Sequence, residues 1–327
     1  MTRREFITLA PGAAIAWPFA VRAQRPRPVI GVLIPGAPGS GIVTERVAAL
    51  RKGLRETGYV EGENVAIEYR YSEGHNDRFL AFVSDLVLHQ VSLIVAFGIP
   101  AALAAKAAST TIPIVFTMGG DPIQLGLVAA LNRPGGNLTG TTSLSIEVGA
   151  KRVQLLHEIV PGATSIALLV NPTSPIAETE WADVQAAART LGLQSQVLHA
   201  STEPELEAIF ASLARPRAGG LVIGNDGFFN PRAGHLGALA IRHAVPTIFQ
   251  YREFAAAGGL ASYGENPTDS LWAVGIYAGR ILKGEKPSDL PVQQATKVEL
   301  IINTKTASRL GLAVPLTMHA LATELIE

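Results

Sequence analysis

LIVAFGIPAALAAKAASTTIPIVF, residues Leu93–Phe116, reads as strand, helix and strand with almost nothing between them. Leu93 to Phe97 is a continuous apolar run that ends at Gly98, as expected of a strand buried on both faces. Pro100 stands at a helix start, where its missing N–H costs nothing, and the helix runs to about Ala108. Ile112 to Phe116 is the next strand. Working outward, Pro28 to Ile34 is a β-branched run closed by Pro35-Gly36. Val43 to Glu56 carries Val47, Leu50 and Leu54 at helical spacing. Val65 to Tyr69 is a strand, and Asp77 to His89 is a helix with Phe79, Phe82, Val83 and Leu86 facing inward. This alternation specifies a parallel, doubly wound sheet.

The second half repeats the logic. Helices are expected at Lys151–Ile159, Pro175–Leu191, Glu203–Leu213 and Pro231–His243. Strands are expected at Ser165–Val170, Ser195–His199, Gly220–Ile223 and Pro246–Phe249. The reading is therefore α/β, with two doubly wound parallel-sheet lobes joined by a three-crossover hinge. Lobe one takes residues 27–142 plus about 252–290, and lobe two takes residues 143–250 plus about 293–327. The crossovers are expected near Gly140–Ser145, around Gln250–Glu253 and between Pro287 and Thr296. Such a hinge opens and closes a cleft.

The first residues place the chain. Thr2-Arg3-Arg4-Glu5-Phe6-Ile7, an apolar stretch from Ile7 to Ala20 and Val21-Arg22-Ala23 make an export signal of the twin-arginine kind over residues 1–23. That stretch is broken by Pro11, Gly12 and Pro18 and is too short to span a bilayer. A mature chain beginning at Gln24 in the periplasm is the expectation, with no insertion in the membrane. With the leader gone, 24 basic and 26 acidic residues remain, which leaves no electrostatic footprint for nucleic acid. There are no cysteines, so no thiolate metal site exists. The histidines form no ligand pair. The glycines Gly36, Gly39 and Gly41 match neither the dinucleotide fingerprint nor a P-loop. Neither a nucleophile elbow nor any other catalytic pair stands out. No metal, cofactor or catalytic residue is expected.

Ligands of doubly wound sheets sit beyond the C-terminal ends of the strands. The candidate binding residues are therefore Gly36, Ala37, Gly98, Ile99, Ala101, Thr117, Met118 and Asp121 in lobe one. Lobe two supplies Asn171, Thr173, Asn225, Asp226 and Phe228. Helix starts in these loops favour a carboxylate. Tyr251 and Tyr263 flank an expected crossover, where a ring could stack on a ligand. Only Trp181 and Trp272 remain after the leader, both within expected helices, and this argues against a stacked sugar. Asp226 suits an ammonium or a hydroxyl.

Several longer stretches carry a family resemblance: TRREFITL, LRETGYVEGENVAIEYR at Leu54–Arg70, DPIQLGLVAALNRPGGNLTG at Asp121–Gly140 and REFAAAGGLASYG at Arg252–Gly264. ILKGEKPSDLPVQQATKVELIINTKTASRLGL at Ile281–Leu312 completes them. Together they resemble the periplasmic substrate-binding proteins of ABC transporters with the type I two-lobe fold. The similarity is to the branch that includes tryptophan- and tyrosine-uptake proteins. The resemblance implies a receptor that closes on a small carboxylate-bearing molecule, an amino acid or an aromatic or apolar acid, and hands it to a membrane permease. A ligand-sensing subunit for a membrane receptor is the alternative, and a periplasmic hydrolase or epimerase is a third. One departure bears on the ligand. The branch usually carries Ser or Thr before Pro-Ala-Ala, and Ile99 here removes that hydroxyl, which tilts the site toward an apolar compound.

Overall fold

Each half of the chain builds its sheet from short apolar strands separated by amphipathic helices. The computed structural model describes residues 27–143, 148–213 and 219–327, so the export signal expected over residues 1–23 lies outside the described residues. The chain first runs through β1 (Val29–Ile34), α1 (Gly41–Glu56), β2 (Ala66–Tyr71), α2 (Arg78–Leu88) and β3 (Leu93–Phe97). α3 (Ile99–Ala108), β4 (Ile114–Met118) and β5 (Leu138–Thr142) follow. The second series is α4 (Gly149–Ile159), β6 (Ser165–Val170), α5 (Ala177–Thr190), β7 (Gln194–His199), α6 (Glu203–Leu213) and β8 (Gly219–Ile223). It continues through α7 (Ala233–Arg242), β9 (Thr247–Phe249), α8 (Arg252–Ala256) and β10 (Ala261–Gly264). The C-terminal part holds α9 (Pro267–Leu282), β11 (Gln293–Gln294), β12 (Glu299–Asn303), α10 (Thr304–Arg309), α11 (Leu316–Leu321) and β13 (Glu324–Ile326).

The strands form two sheets, ordered β11-β5-β4-β3-β1-β2 and β13-β12-β10-β9-β8-β6-β7. All pairings are parallel in the first sheet. In the second, β10 and β12 are antiparallel and the other pairs are parallel. In both sheets the strand order reverses beside the first strand of the series, between β1 and β3 and between β6 and β8. These two switch points face the space between the lobes, where such sheets take their ligands.

The chain passes between sheets after Thr142, between Gly264 and Pro267, and between Gln294 and Glu299. The second passage differs from the expectation around Gln250–Glu253. α8 is too short to leave its lobe, and it turns the chain back so that β10 pairs with β9 and β12. Residues 252–264 therefore belong to lobe two, while Gln293 and Gln294 pair with β5 in lobe one. β5 is also missing from the sequence reading, which placed a crossover there. Its LTGTT run looks like a polar turn, yet every residue is buried. The hydroxyls of Thr139 and Thr142 donate to the carbonyls of Leu290 and Gly120, at 2.6 and 2.7 Å, which removes the cost of burying them.

α9 returns the chain to lobe one through backbone contact with α1. A Cβ on Gly53 would stand 2.1 Å from the Trp272 carbonyl oxygen, and one on Gly275 would stand 2.3 Å from that of Leu50. Val274, Tyr277 and Ile281 of α9 then share a core with Val47, Leu50 and Leu54 of α1.

The lobes touch along the rim of the cleft. Pro231 Cβ lies 3.2 Å from where a Cβ on Gly36 would be, and Pro35 Cβ lies 3.3 Å from that of Gly227. Ile176 of lobe two packs in a core cluster of lobe one, and Ile42 of lobe one packs against a core of lobe two. These contacts bring the two lobes together across the cleft.

Candidate functional site

The interlobe cleft is lined by the loops at both switch points. Ile34, Pro35 and Gly36 come from the end of β1, and Phe97 to Pro100 from the end of β3. Thr117, Met118 and Gly119 follow from β4. Lobe two contributes Ser174, Asn225, Asp226, Gly227, Asn230, Pro231 and Tyr251. The hinge adds Glu265 and Pro267, and helices α1 and α9 add Val43, Arg46 and Leu271. One wall is mostly apolar and the other mostly polar.

The polar wall is a hydrogen-bonded amide cluster. Gln250 Nε2 donates to Asn225 Oδ1 at 2.9 Å and to Asn230 Oδ1 at 2.6 Å, and Asn230 Nδ2 donates to Asn225 Oδ1 at 2.9 Å. Beside it, Asp226 Oδ1 accepts from Asn171 Nδ2 at 2.8 Å and from the Phe228 N–H at 2.7 Å. Asp226 Oδ2 is buried with no hydrogen-bond partner among the described residues. Burial raises the Asp226 carboxyl above its ordinary range, while the Asn171 and Phe228 donors pull the other way. Glu180 holds this loop from below, accepting the Asn225 N–H at 2.8 Å. Burial pushes Glu180 up to about 7, against the opposing bond from Asn225 and the charge of Arg152. Arg152 is buried and donates from Nε to the Tyr263 carbonyl at 2.8 Å; desolvation lowers it to about 10.

Arg46 is the cation of the cleft. Its Cζ lies 4.6 Å from the centroid of the Tyr251 ring. Nε and Nη2 of Arg46 are buried without a hydrogen-bond partner among the described residues. Tyr251 is itself held edge-on by Phe249, and burial pushes its hydroxyl up to about 12. Glu265 accepts from Ser270 Oγ at 2.8 Å. Burial raises its carboxyl, and the charge of Arg46 opposes that shift.

Gly36, Gly98, Ile99, Thr117, Met118, Asn225, Asp226 and Tyr251 line this cleft. The other expected residues stand elsewhere. Ala37 and Thr173 are exposed beside it. Ala101 is packed in the lobe-one core, and the neighbouring Ala102 N–H donates to the Gly98 carbonyl as the first bond of α3. Asp121 accepts the Ile123 N–H at 2.7 Å and so caps a turn. Asn171 accepts the Thr173 N–H at 3.0 Å and ties its loop to Asp226. Phe228 is buried in the lobe-two core under Arg232, 4.1 Å from its ring centroid. Tyr263 packs against the other lobe-two core, because it belongs to β10 and not to a crossover.

Arg46 and Glu265 were absent from the expected set. Arg46 sits three residues after Val43, so both lie on one helix face, and Val43 also lines the cleft. That spacing was the available signal. Glu265 directly follows β10, and its position appears only once that strand is recognised.

Comparison with known proteins agrees with this geometry. The family model described as ABC transporter substrate binding protein matches residues 41–326. A protein of Clostridioides difficile (strain R20291) named tyrosine-binding protein is 27% identical over 262 residues, which span 80% of this chain and 75% of that protein. The solved structure of an ABC domain from Streptococcus pneumonia in complex with L-Trp has a TM-score of 0.80 at 24% identity, covering 92% of this chain and 100% of that one. A conserved domain protein from Vibrio cholerae O1 biovar El Tor has a TM-score of 0.83 at 25% identity, covering 91% and 99%.

Proposed function

This chain belongs to the ABC transporter substrate-binding protein family, and from that premise we propose that it is the periplasmic receptor of an importer. Its ligand is a small carboxylate-bearing molecule, an amino acid or an apolar or aromatic acid, taken up between the lobes by hinge closure. It then delivers the ligand to a membrane permease, with no bond made or broken in this subunit.

The observation that carries this reading is Arg46. A guanidinium whose Nε and Nη2 are buried without an acceptor among the described residues calls for an anionic partner. Around it the ligand body meets Val43, Phe97, Ile99, Met118 and Leu271. Asp226 Oδ2 offers an acceptor for an ammonium, which suits an amino acid, and the relative named tyrosine-binding protein supports that choice. Among the described residues no Trp lines the cleft, and its aromatic rings are Phe97 and Tyr251, the latter already covered by Arg46, which favours an acid over a stacked sugar.

A thermal-shift screen of amino acids, aromatic acids, short fatty and dicarboxylic acids and neutral sugars tests the reading. A ligand bound only to the folded state raises Tm by mass action. At least one carboxylate is expected to raise Tm. A rise with a neutral sugar and with no carboxylate would overturn the assignment.

A further inference from the structure

Arg46 does more in this geometry than contact a ligand. It projects from α1 of lobe one, and the ring beneath it belongs to lobe two. The contact exists only because the rims meet, where Gly36 approaches Pro231 and Pro35 approaches Gly227. Closing therefore strips water from Nε and Nη2, and no acceptor among the described residues replaces it. The Tyr251 face attracts the cation but has no lone pair in reach of those N–H groups. Glu265 shares the cleft, yet its carboxyl accepts from Ser270 and burial raises its pKa toward the neutral form. Asp226 Oδ2 is itself unpartnered and makes no hydrogen bond or ion pair with Arg46 among the described residues. A buried charged donor left without an acceptor costs its full desolvation penalty. Opening the lobes gives those N–H groups back to water.

We propose that Arg46 makes lobe closure conditional on an anionic group, because the closed cleft buries its Nε and Nη2 and only an acceptor carried by the ligand satisfies them. The proposal rests on this cleft being the binding site. It assigns Arg46 a selective role beyond affinity: a molecule of the right shape without an anion fits the open lobes but does not stabilise the closed ones. A ligand shifts such an equilibrium only through its differential affinity for the two states.

The test needs no ligand, so its outcome is separate from that of the screen. The chain has no cysteines, so Asp77→Cys and Thr202→Cys can carry two spin labels cleanly. Both positions are exposed, each in the loop beyond a strand's C-terminal end, on opposite lobes. Inter-label distances are measured on ligand-free protein with Arg46 intact, with Arg46→Met and with Arg46→Lys. Met keeps the apolar stem against Tyr251 and removes the charge. The expected result is a mostly open protein with Arg46 or Lys, and a closed fraction at least about tenfold larger with Met. Arg46→Gln, which is also neutral, provides the same comparison if Arg46→Met lacks a cooperative melt. A neutral variant no more closed than the Arg46 protein would overturn the proposal. So would an Arg46 protein that is already closed without ligand.

Discussion

At the scale of single residues, the described part of the cleft combines one cation, Arg46, with a buried acid, Asp226, and a partly buried one, Glu265. Asp226 has one oxygen committed to Asn171 and Phe228 and the other unpartnered among the described residues. On the proposed function, that oxygen is available to accept from a ligand's ammonium. Asp226→Ala should then weaken an amino acid by about 1.5–3 kcal/mol, the usual worth of a hydrogen bond to a charged group. It should change the affinity of a plain carboxylic acid much less. Calorimetry with one ligand of each kind, on wild type and variant, separates the cases. Equal losses for both would show that Asp226 acts by shaping its loop. Residue chemistry was only partly legible in the sequence. Strand ends marked Gly36, Gly98 and Asn225 because each follows an apolar run. Phe228 stands in an equally suitable loop and Ala101 at an equally suitable helix start, and only packing shows that they belong to a core. Arg46 was hidden because a charged residue on an amphipathic helix ordinarily faces water.

At the scale of elements, the ligand loop of lobe two is positioned from beneath. Glu180 of α5 accepts the N–H of Asn225 just beyond β8, and Arg152 of α4 donates to Tyr263 near the end of β10. Glu180 is raised to about 7 in the folded state, from an ordinary value of 4.5. Between those values the folded state holds a proton that the unfolded state has released. This group's contribution to stability therefore falls as pH rises through that window. Asp226 and Glu265 are raised as well and act with the same sign. Glu180→Gln keeps an oxygen for the Asn225 N–H and removes the titration. The fall in stability between pH 5 and pH 7 should be shallower in the variant, by up to roughly 3 kcal/mol for one fully shifted carboxyl. Denaturant unfolding at several pH values measures it, and parallel pH profiles would show that Glu180 does not titrate in that window. The elements themselves were largely readable, since long apolar runs bounded by Gly and Pro gave β1, β3, β6 and β8. β5 and β10 were not, because LTGTT and ASYG carry turn-like residues that are buried only by tertiary packing.

At the scale of the whole molecule, two similar sheets face their switch points toward one cleft and are joined by three chain passages. The two-lobe architecture follows from the repeated strand–helix alternation, whereas the place of the second passage depends on which sheet accepts β10. On the proposed function, a ligand touching both lobes would shift the balance between open and closed states through its differential affinity for them. In the proposed reading, Arg46 from one lobe and Asp226 from the other would give a carboxylate-bearing amino acid that bridging role. The decisive measurement is small-angle scattering on the wild-type protein at saturation with the best acid from the thermal screen and, separately, with its primary amide. The radius of gyration should fall with the acid and stay at the ligand-free value with the amide. An equal fall with both, or none with the saturating acid, would contradict closure on a carboxylate.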